Sequence, residues 1–138
     1  MENVSKYLID TNVILDVLLK RDSFYEDSYR VIEQCNNKSI KGYVSAKSIC
    51  DIFYFLKKAS NDTKKTYEAI GYIIKIFYIL PVNAMDIINA SVMDWSDFED
   101  CVLYLSAKSK KCDAIITRNI KHYKNLDIKV LEPKCLYE

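Results

Sequence analysis

The sequence predicts an α/β fold: a mainly parallel sheet with helices on both faces. Three observations predict it. Short, near-continuous apolar runs recur along the chain, as strands buried on both sides require. Segments of helical period separate them, and strands alternating with helices imply βαβ units. The composition agrees. The chain has 138 residues, half of them hydrophobic, with only two Gly and two Pro. That suits one core with short connections and argues against an all-β fold, which needs more turn residues.

The elements follow in order. Residues 6–10 read as a buried strand. Val13 to Arg21 reads as a helix with Val13, Leu15, Val17, Leu18 and Leu19 apolar. Ser23 to Cys35 is a second helix, opened by the capping-box pattern Ser23-Phe24-Tyr25-Glu26. Asn36 to Ser39 is a turn, and Ile40 to Val44 a short strand. Ser45 caps a third helix reaching Lys58, with Ile49, Ile52, Phe53 and Leu56 inward. A fourth helix opens at Ser60-Asn61-Asp62-Thr63 and reaches Phe77. Ile79 to Val82 is a strand, and Asn83 to Met93 a helix. Ser96-Asp97-Phe98-Glu99 reads as a second capping box, with its helix running to Lys110. Ala114 to Thr117 and Lys129 to Leu131 complete the strands. No repeat or low-complexity segment appears, so residues 1–138 are expected to form a single domain.

Charge and cysteines exclude several classes. The formal net charge is +1, so global charge does not point to nucleic acid. Lys108, Lys110, Lys111, Arg118, Lys121, Lys124 and Lys129 face only Asp113 and Asp127 in the same stretch. This is either a solvated lysine surface or a local phosphate-binding rim. The five cysteines are scattered and form no Cys-x-x-Cys pair, which excludes a disulfide framework and a zinc site. Cys50 and Cys101 read as small buried hydrophobes. There is no signal-peptide core and no run of membrane-spanning length, so a cytoplasmic protein with no membrane contact is expected.

The chemistry is concentrated in acids. Asp10 ends the first strand, and ligands of open α/β sheets gather at the carboxyl ends of strands. Asp51 lies one to two turns into the third helix. Asp97 and Asp100 are three residues apart on one face at the start of a helix. Thr117 and Asn119 end the fourth strand. If strands one and four are neighbours at the topological switch point, Asp10, Asp51, Asp100 and Asn119 ring one pocket. Converging carboxylates need a cation between them. Ligands that are all oxygen favour a hard ion, Mg²⁺ or Mn²⁺. Such an ion suits phosphodiester hydrolysis by activated water, which needs no general-base histidine. Each residue also has a plainer role. Asp10 could be a helix N-cap, Asp97 a complement to a helix dipole, Asp51 a solvent-facing acid, and Thr117-Arg118-Asn119 a strand exit. His122, the single histidine, reads as a surface or lid residue. Asp16, Glu26, Asp27, Glu33, Asp86 and Asp94 read as solvated helix faces.

Four segments in this order resemble PIN-domain proteins, above all VapC-type toxins of bacterial toxin–antitoxin pairs. They are Leu8-Ile9-Asp10-Thr11-Asn12-Val13-Ile14-Leu15-Asp16, Val44-Ser45-Ala46 through Asp51, Asp97-Phe98-Glu99-Asp100-Cys101-Val102, and Ala114-Ile115-Ile116-Thr117-Arg118-Asn119 through Tyr123. The tail Ile128 to Pro133 fits too. The resemblance implies a three-layer α/β/α sandwich and a Mg²⁺- or Mn²⁺-dependent ribonuclease. Its metal acids would be Asp10, Asp51 and Asp100, completed by Thr117 and Asn119 and supported by Thr11, Asn12 and Asp97. Arg118 and Lys121 are then candidates for RNA phosphate contact. A homodimer and a small antitoxin are the implied partners.

The sequence departs from that pattern at three places. Asp51 stands where a Glu is usual, Asn119 where an Asp is frequent, and His122 where close relatives are often acidic. The lower negative charge motivates a rival, a catalytically silent PIN-like module that binds RNA or protein. A haloacid-dehalogenase phosphatase would want a second Asp where Asn12 stands. A nucleotide-binding loop would want glycines that Gly42 and Gly71 do not supply.

Overall fold

The computed structural model describes residues 4–123 and 127–136. The elements are β1 (Lys6–Ile9), α1 (Thr11–Leu18), α2 (Tyr25–Asn36), β2 (Lys41–Ser45), α3 (Ala46–Ser60), α4 (Thr63–Ile76), β3 (Tyr78–Leu80), α5 (Ala84–Ala90), α6 (Phe98–Ser109), β4 (Ala114–Ile116) and β5 (Lys129–Leu131). Single 3₁₀ turns cover Ile120–His122 and Pro133–Leu136.

The five strands form one parallel sheet in the order β3-β2-β1-β4-β5. Strand residues alternate between two cores, as the pleat dictates. Ile9, Val44 and Ile116 pack with Val13, Ile14, Val31, Ile52 and Ile73, so α1 to α4 cover one face. Leu8, Tyr43 and Ile115 pack with Leu103, Tyr104 and Ala107 of α6 on the other. Cys101 and Val102 join α6 to Ala90 of α5. The result is the three-layer α/β/α sandwich. Gly42 of β2 lies directly beneath Cys35 and Phe77, where a Cβ would collide with the Cys35 sulfur.

This order puts the switch point between β1 and β4. The sense in which strands are added reverses there, because β1 leads to β2 and β3 on one side while β4 and β5 lie on the other. Ile9 is in register with Ile116, and the Asp10 amide donates to the Ile116 carbonyl at 2.9 Å. The residues that follow both strands are therefore held side by side, as the site requires.

Several sequence expectations need correction. The first helix starts at Thr11, capped by Asp10, and ends at Leu18. The Ser23 capping box does not form; α2 begins after Phe24 with no side-chain cap. The cap of α6 is Asp97, not Ser96, and its side chain accepts the Asp100 amide. Asp16 and Asp86 are buried rather than solvated. Asp86 accepts the Asn83 amide at 2.9 Å and the Ser106 hydroxyl at 3.2 Å, tying α5 to α6. Cys50 is exposed, whereas Cys101 is buried as expected.

The lysine rim is divided. Lys108 to Lys111 follow the far end of α6, a helix that begins near the carboxyl ends of the strands and finishes about 18 Å away. Lys129 pairs in register with Ala114 at the same far end of the sheet. Lys108 pairs there with Asp127 at 3.2 Å. Lys124 lies outside the described residues. Among the described residues, no helix is long and apolar enough to cross a membrane.

Candidate active site

Asp10 is fixed by the turn from β1 into α1. One carboxylate oxygen caps the helix, accepting the Thr11 amide at 2.8 Å. The other accepts the Thr117 hydroxyl from the end of β4 at 2.8 Å. The cap and the candidate ligand are thus the same residue, and the two readings do not exclude each other. Thr117 is fully buried behind Asp10, and its oxygen also accepts the Asn119 amide at 3.0 Å. Asp10 is 6% exposed. Burial pushes its carboxyl above the usual range, and the hydrogen bonds from Thr117 and Thr11 only partly oppose this.

Asp97 and Asp100 arrive together at the start of α6. An Asp97 oxygen caps the helix by accepting the Asp100 amide at 3.0 Å. Asp100 is 9% exposed, and its other environment is the Asp10 charge. Burial, with Asp10 second, raises its carboxyl to about 6. Two buried carboxylates whose protons are both held more tightly than usual, lining one pocket, are the pattern expected where acids are brought together for a cation.

The pocket is lined by Asp10, Thr11, Asn12, Asp51, Phe55, Asp97, Glu99, Asp100, Asn119 and His122. Topology therefore brings together nearly all the residues singled out from the sequence. Asp51 reaches it from α3 but is already paired: Lys47, one turn earlier, donates to it at 2.6 Å and reaches Glu99 at 3.2 Å. Thr11 contributes its hydroxyl to Ser48 at 2.7 Å, fastening α1 to α3 beneath the pocket.

Arg118 is used differently from the expectation of a phosphate contact. Its Nε and Nη2 donate to the two oxygens of Asp16 at 2.8 and 3.0 Å, and its guanidinium stacks 3.8 Å from the Phe24 ring. Asp16 also receives Ser28 at 3.0 Å and Arg21 at 3.3 Å. Lys121 is exposed and lies outside the pocket lining.

Lys47, Phe55, Glu99, His122 and Tyr123, at or beside the pocket, were not singled out as such in the sequence. Lys47 carried a signal, its i,i+4 spacing to Asp51. His122 did not. Its Nδ1 lies 2.8 Å from an Asp100 oxygen and 3.9 Å from an Asp97 oxygen. The pocket lining is thus not all oxygen: Asp97, Asp100 and His122 offer three potential ligand atoms within 4.8 Å of one another.

The sequence model of the PIN domain matches residues 6–121. The chain belongs to the PIN-domain family. It is 28% identical over 134 residues to ribonuclease VapC1 of Aquifex aeolicus, across 94% of this chain and 91% of that protein. Its fold is similar to that of VapBC2 from Rickettsia felis bound to a promoter DNA fragment, with a TM-score of 0.71 and 13% identity over 92% of this chain and 98% of that one. It is similar also to VapC20 of Mycobacterium tuberculosis, a toxin that cleaves the sarcin–ricin loop, with a TM-score of 0.62 and 12% identity over 79% and 86%. At those identities the structural likeness carries the fold alone. Within the PIN-domain sandwich, the acid pocket lies at the carboxyl ends of β1 and β4.

Proposed function

We propose that this PIN-domain protein is a divalent-metal-dependent endoribonuclease, the toxin of a type II toxin–antitoxin pair. The observation that carries the reading is the pair Asp10 and Asp100 in one pocket, both buried and, among the described residues, neither given an Arg or Lys partner. The residues fit a divalent ion: raised carboxyls, an acid-rich lining and a fixed ligand geometry at a sheet switch point. Asp10 and Asp100 would hold it, with Asp51 direct or through water. When bound, Mg²⁺ or Mn²⁺ supplies a water of lowered pKa and stabilises charge on the phosphoryl oxygens. Thr117 and the Thr11 amide hold the Asp10 carboxylate in one orientation. Asn119, tethered through Thr117, orients groups at the pocket floor. Lys121 is a candidate for RNA phosphate.

The partners follow from the surface and the relatives. Met85, Ile88 and Val92 leave an apolar face exposed on and after α5, which suits a homodimer. A groove lined by Ile14, Val17, Leu18, Ile32, Ala69 and Tyr72 suits the apolar face of an antitoxin helix. A cytoplasmic location is consistent with such a pair.

One observation favours a second reading, a silent RNA- or protein-binding module. The Lys47 ammonium already neutralises Asp51 and Glu99, so the protein satisfies part of its own acid cluster. Cleavage of a labelled structured RNA by wild type, Asp10→Ala and Asp100→Ala decides between them. Loss of cleavage in both variants, with unchanged circular dichroism, supports the nuclease. Binding without turnover in the wild type supports the module.

A further inference from the structure

The pocket contains a nitrogen donor on the same side as two of its acids. The 3₁₀ turn Ile120–His122 follows directly from Asn119 and is closed by the His122 amide donating to the Asn119 carbonyl at 3.0 Å. It carries the imidazole over the N-terminus of α6. Ligands of an octahedral ion with bonds of about 2.1 Å stand about 3 Å apart along an edge. His122 Nδ1 and the Asp100 oxygen are 2.8 Å apart, and the Asp97 oxygen is 3.9 Å from the same nitrogen. That spacing is close to a ligand edge on one side and slightly open on the other.

A second observation points the same way. Tyr123, the next residue, is 8% exposed and packs edge-on against Trp95. Its hydroxyl is buried and, among the described residues, makes no hydrogen bond of ordinary geometry. The charges acting on it are those of Asp10, Asp100 and Asp97, and Asp100 is near enough to act on it as an acceptor. A buried donor aimed at the ligand acids is what a metal site uses to hold a carboxylate in orientation.

We propose that His122 is a nitrogen ligand of the divalent ion, beside Asp97 and Asp100, so that the pocket selects a borderline transition-metal ion over Mg²⁺. The inference rests on the metal-dependent reading above and sharpens which ion it uses. An imidazole adds little affinity for Mg²⁺, which prefers oxygen. It adds much more along the series from Mn²⁺ to Co²⁺ and Zn²⁺. The neutral imidazole would then turn its Nδ1 lone pair to the ion and keep its proton on Nε2.

Because the chain contains one histidine, an imidazole signal can come only from His122. The test uses the full chain without a histidine tag, loaded with Mn²⁺. Pulsed electron paramagnetic resonance should show ¹⁴N coupling from a coordinated imidazole in the wild type. It should vanish in His122→Asn, which keeps a hydrogen-bond donor and can offer only an oxygen in place of the imidazole nitrogen. Calorimetric titration should show Co²⁺ affinity falling about tenfold or more in His122→Asn, with Mg²⁺ affinity changed far less. Mn²⁺ bound without ¹⁴N coupling, or equal losses for Co²⁺ and Mg²⁺, would overturn the assignment while leaving the metal-dependent reading intact. Failure of the wild type to bind any of these ions would overturn both.

Discussion

Two groups of buried carboxylates lie at the two ends of α1, and they are treated in opposite ways. Asp16 is fully buried, and the fold surrounds it with Arg118, Arg21 and Ser28. Every oxygen has a donor, and two of the donors are guanidinium groups. Asp10 and Asp100 are nearly as buried, yet they line one pocket, and among the described residues their hydrogen-bond contacts are a hydroxyl, a backbone amide and one imidazole, with no guanidinium or ammonium. A carboxylate compensated within the chain is structural. Carboxylates left under-compensated, at the mouth of a sheet, are on the proposed reading the ones that take a cation from outside. The same residue type therefore marks the frame in one place and the chemistry in the other.

The largest effect should come from neutralising the under-compensated pair. Asp10→Asn should lower RNA cleavage at least about a hundredfold, the scale of losing a group that stabilises charge in the reaction. Its metal-free stability, measured by urea unfolding, should not fall and should rise slightly, because a like-charge contact is removed. Asp16→Ala should do the reverse. It strands two arginines and should cost about 3–5 kcal/mol of unfolding free energy, the scale of breaking a buried ion pair. If Asp10→Asn destabilised the fold as much as Asp16→Ala, the contrast would be lost.

The next test is pH. The Asp100 carboxyl is raised to about 6 and that of Asp10 is also raised. A raised acid binds its proton more tightly in the folded state. Its contribution to stability is therefore greatest below the unfolded value of 3.8 and is lost as pH rises through about 6. In the presence of a chelator, the melting temperature should climb as pH falls from 7 toward 5. With a saturating divalent ion that rise should disappear or reverse, because protons and metal compete for the same oxygens. A chelated protein with a flat profile over this window would count against the raised carboxyls.

The smallest effect belongs to the rim. Lys47→Ala removes half-exposed pairs with Asp51 and Glu99 and should change stability by less than about 1 kcal/mol. It should nevertheless strengthen divalent-ion binding, since it frees Asp51. Weaker binding would show that Lys47 supports the site rather than competing for it.

Much of this was legible in the sequence because it is local. The apolar runs around Leu8, Val44, Ile79, Ile115 and Val130 gave the strands. The abrupt Ile9-Asp10-Thr11 boundary gave the first acid, and the alternation of strands and helices gave the switch point at which Asp10 and Thr117 meet. What escaped was long-range or decided by one residue of register. Asp16 looked solvated because its partner Arg118 lies 102 positions away. The same pairing removed Arg118 from the phosphate rim. Ser23 and Ser96 fit the capping pattern, but Phe24 and Asp97 took the boundary positions. His122 gave no periodic signal, since a short 3₁₀ turn delivers it.

The most direct test of the central claim is cleavage of a labelled structured RNA by chelator-stripped protein as Mn²⁺ is added back, in wild type and Asp100→Asn. A metal-dependent nuclease should show no cleavage without metal, a saturable rise with Mn²⁺ in the wild type, and little or no cleavage in the variant at the same concentrations. Full cleavage in the presence of chelator, or a metal dependence that Asp100→Asn leaves unchanged, would contradict that claim.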